Sequence, residues 1–110
     1  MKISLSDTRR VDAGEFTANF YVEKEDDRGF NALLVDCLRR HYKTKLSGAS
    51  RAYLVLEGNG FFMTNGKKEK ANQYDFFILS DGDVYEYEGA MKLFEINVPA
   101  TDSSNEEKLD

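Results

Sequence analysis

Residues 50–66 read Ser-Arg-Ala-Tyr-Leu-Val-Leu-Glu-Gly-Asn-Gly-Phe-Phe-Met-Thr-Asn-Gly, and this stretch decides the fold class. Ser50 to Glu57 is a β-rich run without a turn residue, and Gly58-Asn59-Gly60 bends the chain into a second run, Phe61 to Thr64. Asn65-Gly66 has the composition of a type I′ turn, in which both central residues take positive φ, and it joins that run to Lys67–Ala71 as a hairpin. Working outward, Phe16–Val22, Phe30–Tyr42, Tyr74–Leu79, Val84–Glu88 and Met91–Val98 show the same strand signals. Between them lie a charged turn at residues 23–29, a loop at Lys43–Ala49, and the turns Ser80-Asp-Gly-Asp83 and Gly89-Ala90. No window repeats apolar residues at i, i+3, i+4 and i+7 over three turns. Seven to nine short strands with turns every eight to twelve residues predict an all-β sandwich or small barrel.

The 110 residues suffice for one domain with one core. Apolar residues make up 41% and charged residues 32%, with eight Phe, six Tyr and one Pro, which is globular composition and not that of a linker. One histidine, His41, and one cysteine, Cys37, exclude a three-histidine metal site, a zinc finger and an internal disulfide within the chain. Cys37 reads as a small buried hydrophobe. The net charge of −5 and the short basic runs, each close to acids or turns, argue against nucleic acid as a partner. The opening Met-Lys-Ile-Ser-Leu-Ser-Asp lacks an apolar signal region and no window is long enough to span a membrane, so a cytoplasmic protein without a membrane partner is expected. After Pro99 the chain carries Asp102, Glu106, Glu107 and Asp110 against Lys108 alone, and residues 100–110 are expected to form a disordered acidic tail. Residues 1–15 are expected to hold a strand exchanged with a partner copy. The apolar runs Phe61-Phe62 and Phe76–Leu79 exceed what a one-sided strand needs, which predicts a homodimer.

Arg51–Gly60, the hairpin after it, and Ser80–Gly89 together resemble the two signature segments of the cupin superfamily. Those segments run Gly-x5-His-x-His-x3,4-Glu-x6-Gly and Gly-x5-Pro-x-Gly-x2-His-x3-Asn. Counting back seven from Gly58 puts Arg51 at the family's glutamate. The two histidine positions fall on Thr44 and Leu46, or on Lys45 and Ser47. In the second segment Gly82 matches the internal glycine, while Tyr74, Ser80, Tyr85 and Gly89 stand where the family has Gly, Pro, His and Asn. The resemblance covers roughly residues 30–98 and implies a cupin-type jelly-roll β-barrel over residues 16–99. It also implies that Arg51, Tyr53 and Val55, with Tyr85 and Tyr87, point into the barrel while Glu86 and Glu88 face solvent. A guanidinium, a phenol and side chains drawn from Thr, Leu, Lys and Ser do not make a divalent-metal site. No metal and no cofactor are therefore expected.

Arg51, Tyr53, Tyr85, Tyr87 and Lys45 are the expected ligand-binding residues: phenols stack and hydrogen-bond, and a guanidinium holds a carboxylate in bidentate fashion. Against this stands a barrel filled by its own aromatics, with Arg51 paired to a carboxylate. His41, at a strand end, reads as a surface residue, and Asp81-Gly82-Asp83 reads as a plain turn. The reading favours binding over catalysis, of a small polar ligand such as a sugar or carboxylate, or of a protein partner. The enzymatic alternative is a metal-independent carbohydrate isomerase or epimerase with His41 and Tyr85 as its acid–base pair. A structural protein with a plugged barrel is the third possibility.

Overall fold

A computed structural model describes residues 1–110. Eleven strands make up the chain: β1 (Arg9–Asp12), β2 (Phe16–Val22), β3 (Asn31–Cys37), β4 (Arg40–Leu46), β5 (Ser50–Gly58) and β6 (Gly60–Thr64), then β7 (Lys67–Ala71), β8 (Phe76–Leu79), β9 (Val84–Glu88), β10 (Met91–Val98) and β11 (Glu106–Lys108). They form two antiparallel sheets, ordered β1-β2-β3-β10-β5-β8 and β11-β4-β9-β6-β7. From β3 onward the chain changes sheet at every connection except the β6–β7 hairpin, whose Asn65 and Gly66 have φ of 50° and 82°. Crossing back and forth places residues far apart in sequence on adjacent strands, as a jelly roll requires.

The burial strings follow from the pleat. Along β5, Arg51, Tyr53 and Val55 are buried, and along β9 Tyr85 and Tyr87 are buried while Glu88 is exposed. The first sheet's inner residues align across strands as Ala18–Val35–Leu93–Val55 and Phe20–Leu33–Glu95–Tyr53–Phe77. Leu46, Phe62, Ala71, Tyr85 and Tyr87 of the second sheet complete the core. The bend at Gly58 and Gly60 crosses the turn at Gly89 closely. A Cβ on Gly60 would lie 2.0 Å from the Glu88 carbonyl oxygen, so no larger residue fits there.

Three expectations need correction. Phe30–Tyr42 is not one strand followed by a loop: the chain turns at Leu38-Arg39, whose amides both donate to the Glu15 carbonyl, and Lys43 to Leu46 belong to β4. Residues 9–12, expected as an exchanged strand, pair with β2 within the single chain. The acidic tail is ordered. Glu106–Lys108 lines up with Leu46, Lys45 and Thr44 at the edge of β4, and a 3-10 turn at Ser103–Asn105 precedes it. Composition alone pointed to disorder, but the segment's backbone pairs with an open sheet edge, and its Glu106 carboxylate accepts from Arg51 at 2.5 Å. Deleting residues 100–110 should therefore lower the melting temperature by about 5–15 °C, through lost charged hydrogen bonds at the barrel. An unchanged thermal unfolding curve would show that the strand adds nothing.

Candidate functional site

Arg51 is the centre of the polar interior. Register puts it beside Asn97, which in turn faces Asn31, so one inner row reads Asn31–Asn97–Arg51 with Glu95 in the row below. All four are buried. The guanidinium donates from Nε to the Asn97 Oδ1, and from Nη1 to the Tyr85 hydroxyl at 2.7 Å and to Glu106 Oε1 at 2.5 Å. Its Nη2 reaches Thr101 Oγ1 at 3.4 Å, and Glu95 Oε2 lies 3.3 Å from Nε. Asn97 Nδ2 donates to Glu95 at 2.9 Å, while the Thr101 amide and hydroxyl both donate to Asn31 Oδ1. Burial by itself would lower the Arg51 pKa, but Glu95 and the other negative groups outweigh it, and the guanidinium stays charged. Two carboxylates face one cation, so this cluster carries a net negative charge.

A cavity of about 400 Å³ opens beside the cluster, where β1 and β2 at one sheet's edge diverge from β4 and the C-terminal segment. Arg51, Glu95, Asn97, His41 and Thr101 are among its polar lining, and Phe16 and Phe20 among its apolar lining. His41 is buried, not the surface residue its position in the sequence suggested. Its ring lies 4.6 Å from Phe16, 5.0 Å from Tyr87 and 5.7 Å from Tyr85, centroid to centroid. Nδ1 is 2.8 Å from the Tyr42 carbonyl, which can only accept; this assigns the proton to Nδ1 and leaves Nε2 as a free lone pair without a protein partner. Burial is the main cause that pulls the His41 pKa below the ordinary histidine value, so the ring is neutral at neutral pH.

The other expected ligand contacts lie elsewhere. Tyr53, Tyr85 and Tyr87 are fully buried behind the cavity wall, and the Tyr53 and Tyr85 hydroxyls bond each other at 3.0 Å. Burial raises all three phenol pKa values, so none is a ready proton source. The Tyr87 hydroxyl is buried without a partner. The His41–Tyr85 acid–base pair is stacked ring to ring, with the Tyr85 hydroxyl taken by Arg51 and Tyr53. Lys45 is a correction: it is exposed on β4, one residue out of phase with buried Thr44 and Leu46, and is not among the residues that line the cavity. Glu95 and Asn97 were missed, although the signal was present. Met91, Leu93, Glu95 and Asn97 share one phase of β10, so the last two are polar residues on a core-facing row. Glu106 and Thr101 were hidden by the expectation of a free tail.

Two outcomes follow from this geometry. Arg51→Met leaves Glu95 buried without its cation and should cost about 3 kcal/mol at neutral pH, most of it recovered by adding Glu95→Gln. Equal stability of the single variant in urea titration would mean that the cation is dispensable. An unfolded histidine binds a proton near pH ~6.5 while folded His41 stays neutral to lower pH, so the unfolded state holds more protons in between. Stability should fall as pH drops below about 6.5, and His41→Phe should flatten that part of the profile.

No protein-family model matches the sequence, and no curated protein matches it. Solved structures do. The chain superposes on Streptomyces Pac13, a nucleoside dehydratase, in a histidine-to-glutamine variant with uridine, with a TM-score of 0.91 at 19% identity over 99% of this chain and 90% of that one. Ectoine synthase from P. lautus gives a TM-score of 0.80 at 12% identity, over 100% and 90% of the two chains. The Cnp3 cupin domain of Schizosaccharomyces pombe gives 0.74 at 16% identity, over 94% and 75%. With two antiparallel sheets in jelly-roll order and these neighbours, the chain has the fold of a small cupin-type β-barrel.

Proposed function

We propose that the protein is a small-molecule enzyme that removes water from a neutral, hydroxylated substrate of the nucleoside type, with His41 as its base. The carrying observation is the state of His41: one imidazole, neutral, tautomer set by Tyr42, ring held among aromatics, with Nε2 free at a cavity of about 400 Å³. Dehydration needs one group that takes a proton from carbon and one that protonates the departing hydroxyl. Nε2 takes the carbon proton, the C–O bond breaks as the double bond forms, and the imidazolium returns the proton to the leaving oxygen, so the enzyme ends unchanged. Imidazole is strong enough for this only where a neighbouring carbonyl acidifies the C–H.

Charge supports a neutral substrate. Arg51 is already matched by Glu95 and Glu106, so a phosphate or carboxylate would displace one of them and meet the other. Asn97, Asn31 and Thr101 offer the amides and hydroxyl suited to sugar oxygens. The neighbour Pac13 is a nucleoside dehydratase whose structures with uridine include variants at a histidine and at tyrosines, the residue types that meet here around His41. This reading departs from simple ligand binding because an unpartnered imidazole nitrogen on a cavity-lining residue is a reactive group that binding alone does not need.

Nucleosides and their carbonyl-bearing derivatives, screened by mass spectrometry for loss of one water, test the proposal. His41→Gln should lower turnover by about 10³-fold and change substrate affinity only a few-fold. The acid limb of kcat/KM should lie below pH ~6.5, since only neutral His41 acts as the base. Full activity in the variant would sink the role of His41. A compound that binds tightly and is never converted would favour the binding-only reading instead.

A further inference from the structure

The cavity meets solvent between two short turns. Arg51, Glu95 and Asn97 on its lining are buried, whereas Lys24, Asp102 and Ser103 on the same lining are exposed and so mark the mouth. Lys24 belongs to the turn that joins β2 to β3, and Asp102 to the turn that leads into β11. Lys24 Nζ lies 3.3 Å from Asp102 Oδ2, so an ion pair links residues 78 positions apart across the opening. The two turns are anchored very differently. On the C-terminal side the Asn105 side chain donates to the Ser47 carbonyl and the Ser47 amide to the Asn105 carbonyl, both at 2.8 Å. Asp102 Oδ1 accepts from the Ser104 amide at 2.9 Å, which leaves Oδ2 for Lys24. On the other side the turn's backbone hydrogen bonds stay within it, Asp26 to Glu23 and Asp27 to Lys24, and none of residues 24–30 is buried. Arg9, lying over the Phe20 ring, pins Glu23 at 2.7 Å. Beyond Glu23 the turn's polar side-chain ties to the rest of the chain are the Lys24–Asp102 pair and a 3.8 Å contact from Arg28 to the Met1 sulfur.

We propose that residues 24–29 are a flap that opens and shuts the cavity, hinged at Glu23 and Gly29 and latched by Lys24 on Asp102. Gly29, with φ of 82° and open space where a Cβ would sit, supplies a hinge free of side-chain obstruction. At the other end the register of β2 against β3 slips between Phe20 and Val22, so the regular ladder is already interrupted before the turn. A segment that buries no side chain and shares no backbone hydrogen bond with a neighbouring element opens at a free energy far below that of global unfolding. The latch is matched to such a segment. Its two side chains are 51% and 44% exposed, so the pair contributes little and breaks readily, holding the mouth shut without sealing it. Shutting acts on what lies within: a mouth closed to water strengthens every polar contact around Arg51 and His41. The inference concerns entry to the cavity and holds whether the enclosed ligand is converted or only bound.

His41 is the only histidine of the chain and lines the cavity with Nε2 unpartnered, so its modification by diethyl pyrocarbonate reads entry through the mouth. Nε2 attacks a carbonyl carbon of the reagent and takes its ethoxycarbonyl group, ethyl carbonate leaves as carbon dioxide and ethanol, and peptide mass mapping counts the adduct. Lys24→Met, which keeps the apolar stem and removes the charge, should speed the reaction about two- to fivefold, the range that an exposed ion pair allows, and Lys24→Arg should restore the original rate. Raising salt should speed the unsubstituted protein relative to Lys24→Met, because the latch is screened. Lys24→Cys with Asp102→Cys, bridged by a short bis-maleimide, should react at least about tenfold more slowly than the same double variant unbridged. Cys37 is buried and does not compete for the bridging reagent. Equal rates in the unsubstituted, Lys24→Met and bridged proteins, the absence of reaction in all three included, would overturn the proposal. So would a bridged protein that reacts as fast as the unbridged one, since the reagent then enters by another route. Rates that differ as expected, alongside a dehydration screen that finds no product, would remove the catalytic reading and leave the flap standing.

Discussion

A guanidinium enclosed in a β-barrel is the constraint on which the rest of this structure depends. Arg51 cannot shed its proton and is almost wholly buried, so its donors find their acceptors inside the protein. Those acceptors come from different parts of the chain: Glu95 and Asn97 on β10, Tyr85 on β9, and Thr101 and Glu106 beyond the last long strand. Satisfying one side chain thereby ties both sheets together and draws the C-terminal segment across the barrel. The same saturation determines what the site accepts, because a cation already matched by two carboxylates is no anion receptor.

Beside this cluster the interior divides into a filled part and an open part. Rings run through the barrel from Phe77 to Phe62 at 4.2 Å, Phe62 to Tyr87 at 4.8 Å, Tyr87 to His41 at 5.0 Å and His41 to Phe16 at 4.6 Å. Stacking of this kind fills volume and at the same time fixes the plane of the imidazole. An imidazole locked by packing on its faces and by the Tyr42 carbonyl on one edge has a single free position, Nε2. Pre-organisation, which costs a catalytic group nothing at the moment of reaction, is thus a by-product of core packing. The question of an open or a plugged barrel has a divided answer: the tyrosines plug the middle, and the cavity opens where the edge strands splay.

Much of this was legible by period. The cupin resemblance implied which face of Ser50–Glu57 and Val84–Glu88 turns inward, the pleat's period then gave the set Arg51, Tyr53, Val55, Tyr85 and Tyr87, and Asn65-Gly66 predicted its turn from local geometry alone. His41 and Lys45 were misjudged for one reason. The stretch from Phe30 to Ala49 was divided into strand and loop at the wrong place, and His41 and Lys45, which share one phase of a regular strand, part company because the register of β4 shifts between His41 and Thr44: His41 turns inward while Lys45 stays exposed. The tail was misjudged because composition measures how much surface a segment can bury, and says nothing of a single ion pair waiting for it.

What the sequence by itself determined was the β class, the single domain, the inward phase of β5 and β9, and the cupin resemblance carried by Arg51–Gly60 and Ser80–Gly89. Each of these depends on neighbours along the chain or on the pleat's period of two. Only the tertiary structure decided that Glu95 and Glu106 converge on Arg51 and that His41 lines a cavity. Those facts depend on which strands lie side by side, and in a jelly roll such strands are far apart in sequence; no local signal records the register between them.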